Sequence, residues 1–447
     1  MTQHKKLKQL IRSRMAKTGE SYTTARRHVL AKAPVAATAQ AFPAVVAGYP
    51  AFGAVQHHES GLLAHVLQAQ GIKAPHTGEP FTEAMMAGLG GGIGFMYAVF
   101  EYQNMPPVLT IVAQHHPMPW APTVLDGLGI AYREERSGKP APAIARLKTA
   151  LAQGTPVITT VDRSRLPWHG LEPGYGMDPY VVVVAGCDED TVYLDDEGGV
   201  PRPLAVQAFA GAWSAHKKGR HHSLTVTGDG MTRVLPQAIR DAIGMTTAHL
   251  TGPVLGNSFD SNFGFSGMAK LAAQLRDTST KHGWLRRFGQ PVPLFHGLSR
   301  LYECLEMEYT APGASRPIYA DFLTEAAVLV GDSLNEAAAL IRQSGDNWSR
   351  LATLAQQTVS GLGAFTEIAE QRLALMFSQG PAATPLLREL NTRLEAMIAE
   401  QADTQPLSET DRRDLFGQMA GLVESCLALE RQAVTTLSAV GGVPLNR

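Results

Sequence analysis

Proline sets the first limit on this fold. Of the 28 prolines in 447 residues, 18 lie within 34–228, six within 229–317 and four within 318–447. A proline removes a backbone donor and breaks a helix interior, so only the C-terminal stretch can be built almost wholly from long helices. Its apolar residues agree. Leu415, Met419, Leu422, Cys426, Leu429 and Ala433 recur in alternating steps of four and three, as do Leu387, Leu390, Leu394 and Met397, the stripe of a helix that packs on one face. Thr384-Pro385 reads as an N-cap followed by proline at the first helical position. Ser408 with Asp411 reads as a capping box in which Asp replaces the usual Glu. Cys426 lies on the stripe and is expected in the core.

The proline-rich part mixes two periods. The β-branched run Val181-Val182-Val183-Val184, the polar turn Asp188-Glu189-Asp190 and Thr191-Val192-Tyr193-Leu194 predict an antiparallel hairpin. Residues 156–161 and 108–112 read as further strands, and 59–70, 81–87 and 141–152 as helices. Helices first and a strand meander later predict an α+β domain and not a doubly wound sheet. The expected division is a basic helical segment at 1–40, an α+β domain at 41–228 and a helical domain at 229–447.

The formal net charge of −1 hides an asymmetry, because residues 1–33 carry nine Lys/Arg against one acid, Glu20. The segment reads as two helices broken at Gly19, with Lys5, Lys6, Lys8, Arg12, Arg14, Lys17, Arg26 and Arg27 able to meet an acidic partner. A solvated basic hairpin is the simpler reading. No pattern of aromatic residues alternating with the charges and no groove-reading motif occurs, so nucleic acid is not the expected partner. The apolar stretches 41–55 and 84–100 are short of a bilayer span and broken by Gly or Pro. No apolar signal-peptide core follows the basic start. Three cysteines without CxxC spacing form neither a disulfide framework nor a zinc ribbon. A cytoplasmic chain is expected. The sequence says nothing of oligomeric state.

Most chemical motifs fail on inspection. Gly88-Leu89-Gly90-Gly91-Gly92-Ile93-Gly94 fits no GxGxxG register and follows a helix where a dinucleotide fold needs a strand. No lysine of a phosphate loop follows it, so a turn or close backbone approach is the better reading. No GxSxG elbow occurs. His57-His58-Glu59 nearly opens a zincin motif, but Leu62 stands where the second histidine belongs. His65 shares a helical face with His58, yet about 10 Å of helix rise separates them, too far for one ion. Neither a metal nor a cofactor is expected.

As a whole, residues 50–228 resemble the N-terminal domain of the butirosin biosynthesis protein H family. The matching pieces are His57-His58-Glu59 where the family has a His-Cys-Glu-like tripeptide, the run Ala87–Phe95, Leu166-Pro167-Trp168, and the strand pair at 180–195. Residues 229–360 resemble the uncharacterised helical domain that often follows it, through Arg316-Pro317-Ile318-Tyr319-Ala320-Asp321-Phe322-Leu323. The resemblance implies a papain-like domain that moves an acyl group from an acyl carrier protein to an amine through a cysteine thioester. That chemistry needs a thiolate at a helix N-terminus, a histidine and an orienting carboxylate.

The chain departs from that pattern at its centre. His58 occupies the nucleophile's position, Pro179 or Tyr180 the histidine's, and only the acid remains, as Asp195 or its neighbour Asp196. Two readings follow. In the first, His58 is a general base for direct attack of an amine on a bound thioester, Gln56 and backbone N–H groups hold the oxyanion, and Glu59 or Asp195 orients the imidazole. His57, Gly90, Gly92, Trp168 and Tyr180 then line the small-molecule site, which an acyl carrier protein serves. In the second, the domain is a pseudoenzyme that binds a ligand or protein.

Overall fold

The computed structural model describes residues 44–50, 57–114, 119–171, 179–196, 198, 201–215, 220–307 and 312–442. The basic 1–40 segment and Gln56 lie outside them. The described elements begin with α1 (His58–Ala69) and α2 (Glu83–Leu89), followed by β1 (Ile93–Phe100), β2 (Val108–Gln114), α3 (Trp120–Leu128), β3 (Tyr132–Glu135) and α4 (Pro140–Ala152). Next come β4 (Val157–Asp162), two 3-10 turns at Arg163–Arg165 and Pro167–His169, β5 (Pro179–Cys187), β6 (Thr191–Asp195), β7 (Arg202–Ala205), α5 (Val206–Ala215) and β8 (Ser223–Val226).

Strands β3-β8-β4-β5-β6-β7 form one antiparallel sheet, and β1-β2 a separate hairpin. The valine run pairs with β6 as its pattern predicts, Val183 facing Asp195 and Val184 facing Leu194. Alternate residues serve opposite faces of the sheet. Val182, Val184, Val192 and Leu194 join Trp168, Phe209 and Trp213 in a core under α4 and α5. Val183, Ile158 and Leu224 face the larger core on the other side.

Every regular element described after β8 is helical. These are α6 (Leu235–Thr251), α7 (Gly264–Arg276), α8 (Trp284–Arg287), α9 (Pro291–Glu306), α10 (Arg316–Val330), α11 (Leu334–Thr358), α12 (Leu362–Gln379), α13 (Thr384–Ala399) and α14 (Glu409–Gly441). An α+β part followed by helices is therefore the architecture. Among the described residues no helix is long and apolar enough to cross a membrane. Ser408 caps α14 as its spacing predicts: its Oγ accepts from the Asp411 amide at 3.1 Å and donates to that carboxylate at 2.6 Å. Thr384 does not cap α13; it is the helix's first residue, and its hydroxyl donates to the Pro167 carbonyl at 2.9 Å.

The larger core ignores the boundary near residue 228. Leu62, Met85 and Tyr97 share it with Trp284, Tyr319 and Phe416. The glycine-rich run makes this possible. A methyl group on Gly88 would stand 2.0 Å from the Phe322 ring, one on Gly92 2.2 Å from the Tyr319 ring, and one on Gly90 2.3 Å from Trp120. Gly92 also has a φ of +62°, a left-handed backbone that glycine adopts without strain. Gly90 and Gly92, expected to line a substrate site, admit these rings because they have no side chain of their own. The two motifs of the resemblance thus touch one another.

Arg316 completes the join. It is fully buried and forms a two-pronged pair with the equally buried Glu430, at 2.8 and 2.9 Å. Its remaining terminal nitrogen donates to the carbonyls of Ala113 on β2 and Ala314. Glu430 also accepts from Ser344 and Trp348, at 2.6 and 3.2 Å. Burial of a charge is tolerated when its hydrogen bonds are supplied, and this pair is well supplied.

Candidate active site

Three rings stand in a row at the start of α1. His58, the first residue of that helix, stacks on Tyr180 at the start of β5, with centroids 4.5 Å apart and planes 23° apart. His169 meets the Tyr180 ring edge-on at 4.9 Å, and the Arg163 guanidinium lies 5.8 Å from the centre of that ring. His58 and Tyr180, 122 apart in sequence, are therefore neighbours in space.

Hydrogen bonds fix the state of each imidazole. The Nε2 of His58 lies 2.6 Å from the Val181 carbonyl oxygen. A carbonyl only accepts, so Nε2 carries the proton and the neutral ring keeps its basic lone pair at Nδ1. His57 lies deeper. Its Nε2 donates to Gln114 Oε1 at 2.6 Å, and its Nδ1 accepts from Ser60 Oγ at 2.7 Å. Burial drives its pKa down to about 4, against the Gln114 bond and with help from His58, so it is neutral at pH 7. His57, expected to line the substrate site, thus has both ring nitrogens engaged by neighbouring side chains.

Each of the two adjacent acids takes a histidine of its own. Asp196 Oδ2 accepts from Trp168 Nε1 at 2.5 Å and from His169 Nε2 at 3.2 Å, while Arg202 lies 3.7 Å from its other oxygen. Burial lowers the His169 pKa and Asp196 opposes that shift. Trp168 is fully buried, so it orients this carboxylate and does not line an open site. Asp195 Oδ2 accepts instead from Tyr49 Oη at 2.8 Å and lies 2.7 Å from His65 Nδ1. Burial, then Asp195, raises the Tyr49 pKa well above 10, so that hydroxyl stays a donor. Strand alternation separates the two acids, one on each face of the sheet.

Of the other expected residues, Glu59 follows His58 on α1; burial raises its carboxyl pKa and the His58 charge draws it back. One backbone amide at the helix start is spoken for, since His57 N donates to Glu83 Oε1 at 2.5 Å. The thiols are elsewhere: Cys187 closes β5, and Cys304 and Cys426 are buried in the helical part. Among the described residues no cluster of ligands suited to a metal occurs. Sequence reasoning gave no role to Tyr49, His65 and His169. Only His65 carried a signal, its shared helical face with His58.

Two family models match the chain. Residues 57–197 match the family model of butirosin biosynthesis protein H, N-terminal, and residues 208–376 match a domain of unknown function (DUF4872). A search of curated proteins finds no match. The first match holds α1, the ring stack and both acids; the second holds Arg316, Tyr319 and Phe322, which dock on the glycine run of the first. In chain order, then, a stretch similar to the butirosin biosynthesis protein H N-terminal domain is followed by one similar to this domain of unknown function.

Proposed function

We propose that this chain passes an acyl group from a bound thioester directly to an amine, in small-molecule biosynthesis of the butirosin type. A papain-like arrangement is kept in this reading, with His58 in place of a cysteine nucleophile. The observation that carries it is the setting of His58: it begins a helix, its ring is held by Tyr180, and the Val181 carbonyl fixes the tautomer. With the proton on Nε2, the basic nitrogen of this ring is Nδ1, the atom that takes the amine proton in this reading.

The step balances without a covalent enzyme intermediate. The amine nitrogen forms a bond to the thioester carbonyl carbon, its proton goes to His58 Nδ1, and the C–S bond breaks with the electron pair leaving on sulfur. Glu59 lies close enough for its charge to stabilise the imidazolium. Gln56 and amides at the helix start are the proposed oxyanion donors.

A second reading, a binding module without turnover, draws on the absence of a thiol at the helix start and on the burial of His57 and His169. His58→Gln separates the two. Loss of a general base costs on the order of 10²–10⁴-fold in rate. Turnover of carrier-bound thioesters with a panel of amines is measured for both proteins, beside ligand binding. Turnover that His58→Gln leaves unchanged removes the general base. No turnover in either protein, with binding retained, favours the module.

A further inference from the structure

The second histidine–carboxylate pair is built differently from the ring stack. His65 is 15 % exposed, whereas its partner Asp195 is fully buried. With Nδ1 2.7 Å from the carboxylate oxygen, Nδ1 carries the proton and the neutral ring keeps its lone pair at Nε2. That nitrogen has no hydrogen-bond partner among the described residues. Tyr49 supplies a second donor to the same carboxylate oxygen at 2.8 Å, and its ring meets His65 edge-on at 6.1 Å. These partners hold the imidazole in place and leave one acceptor at the surface.

Charge decides what such a site takes. While His65 is neutral, the pair carries one negative charge, set behind an imidazole acceptor. We infer that His65, Asp195 and Tyr49 form a subsite for a primary ammonium group, whose N–H donates to His65 Nε2 while the Asp195 charge offsets its own. An anion is repelled by the carboxylate, and a quaternary ammonium has no proton to give. Among the described residues, Asp195 on β6 and Tyr49 before α1 face His65 from other elements, and the Arg202 guanidinium acts on Asp195; His58 and Glu59 lie two turns back on its own helix. This rests on the acyl-transfer reading only in suggesting that the bound amine is the acceptor.

The test needs no thioester, so its result is separate from that reading. The full chain, labelled at histidine Cε1, is titrated with n-propylamine and followed by NMR, with the His65 signal assigned by its loss in His65→Gln. A saturable shift of that signal is expected. Tetramethylammonium should leave it in place. Asp195→Asn should weaken binding about ten- to a hundredfold, the range that one charge-assisted hydrogen bond spans. Should that variant not fold, Tyr49→Phe, which removes one hydroxyl, should weaken binding by a smaller factor. No shift with propylamine, or an equal shift with tetramethylammonium, overturns the subsite even if the enzyme turns over.

Discussion

The helical part and the sheet part both bury ionisable groups, but they treat them in opposite ways. In the helical part Arg316 and Glu430 meet at zero exposure with supporting bonds from Ala113, Ala314, Ser344 and Trp348. Nothing in that arrangement can accept a new partner without losing an old one. At the sheet's end the buried acids are paired with histidines, which have two protonation states near neutrality. His58 and His65 keep part of their surface open. A closed pair supports architecture, whereas an acid behind a half-open imidazole supports chemistry.

The closed pair gives the largest expected effect. Glu430→Gln leaves the Arg316 charge buried without its counterion, and breaking a buried pair from one side costs about 3–5 kcal/mol. Unfolding by urea should show a clear loss of stability. Replacing both partners, Arg316→Met with Glu430→Leu, should recover most of it, because an apolar pair needs no hydrogen bonds. A single variant as stable as the parent would mean that the pair is not the join described here.

Gly92→Ala tests the seam between the two parts. A left-handed backbone costs a non-glycine residue about 1–2 kcal/mol, and overpacking adds about 1–3 kcal/mol. The expected loss is therefore about 2–5 kcal/mol. Tyr319→Leu in the same chain should return part of the packing cost and none of the backbone cost. Equal losses in the single and double variants would show that the Tyr319 contact is energetically silent.

The sequence showed the helical part more readily than the site. A stripe in α14 is local information, and only its centre moved: Leu422 and Leu429 are half-buried while Val423 and Glu430 are buried. β1 went unread because both faces of this strand are covered through most of its length, so its residues show no alternation. The glycine run read correctly as a close approach, but the rings that approach it come from residues 120, 319 and 322. Asp195 and Asp196 could not be told apart, since their difference is the face of the sheet each takes. The partner of Asp195 is 130 residues away on α1, and no spacing rule reaches that far.

Acid should loosen the sheet part through His57. Its folded pKa is about 4, lowered first by burial, and its unfolded value is about 6.5. Between these values the unfolded chain binds the extra proton and the folded chain does not. Stability contributed by the neutral ring is therefore full above 6.5 and is lost as pH falls towards 4. Integrated from pH 7 to pH 5, the loss is about 2 kcal/mol from this residue alone. His169, whose pKa burial also lowers, acts in the same direction. Chemical unfolding across this range gives the total, and NMR titration isolates His57. Its ring signal should stay in the neutral form down to about pH 5; a midpoint near 6.5 would mean that the ring is wetter than its bonds to Ser60 and Gln114 allow.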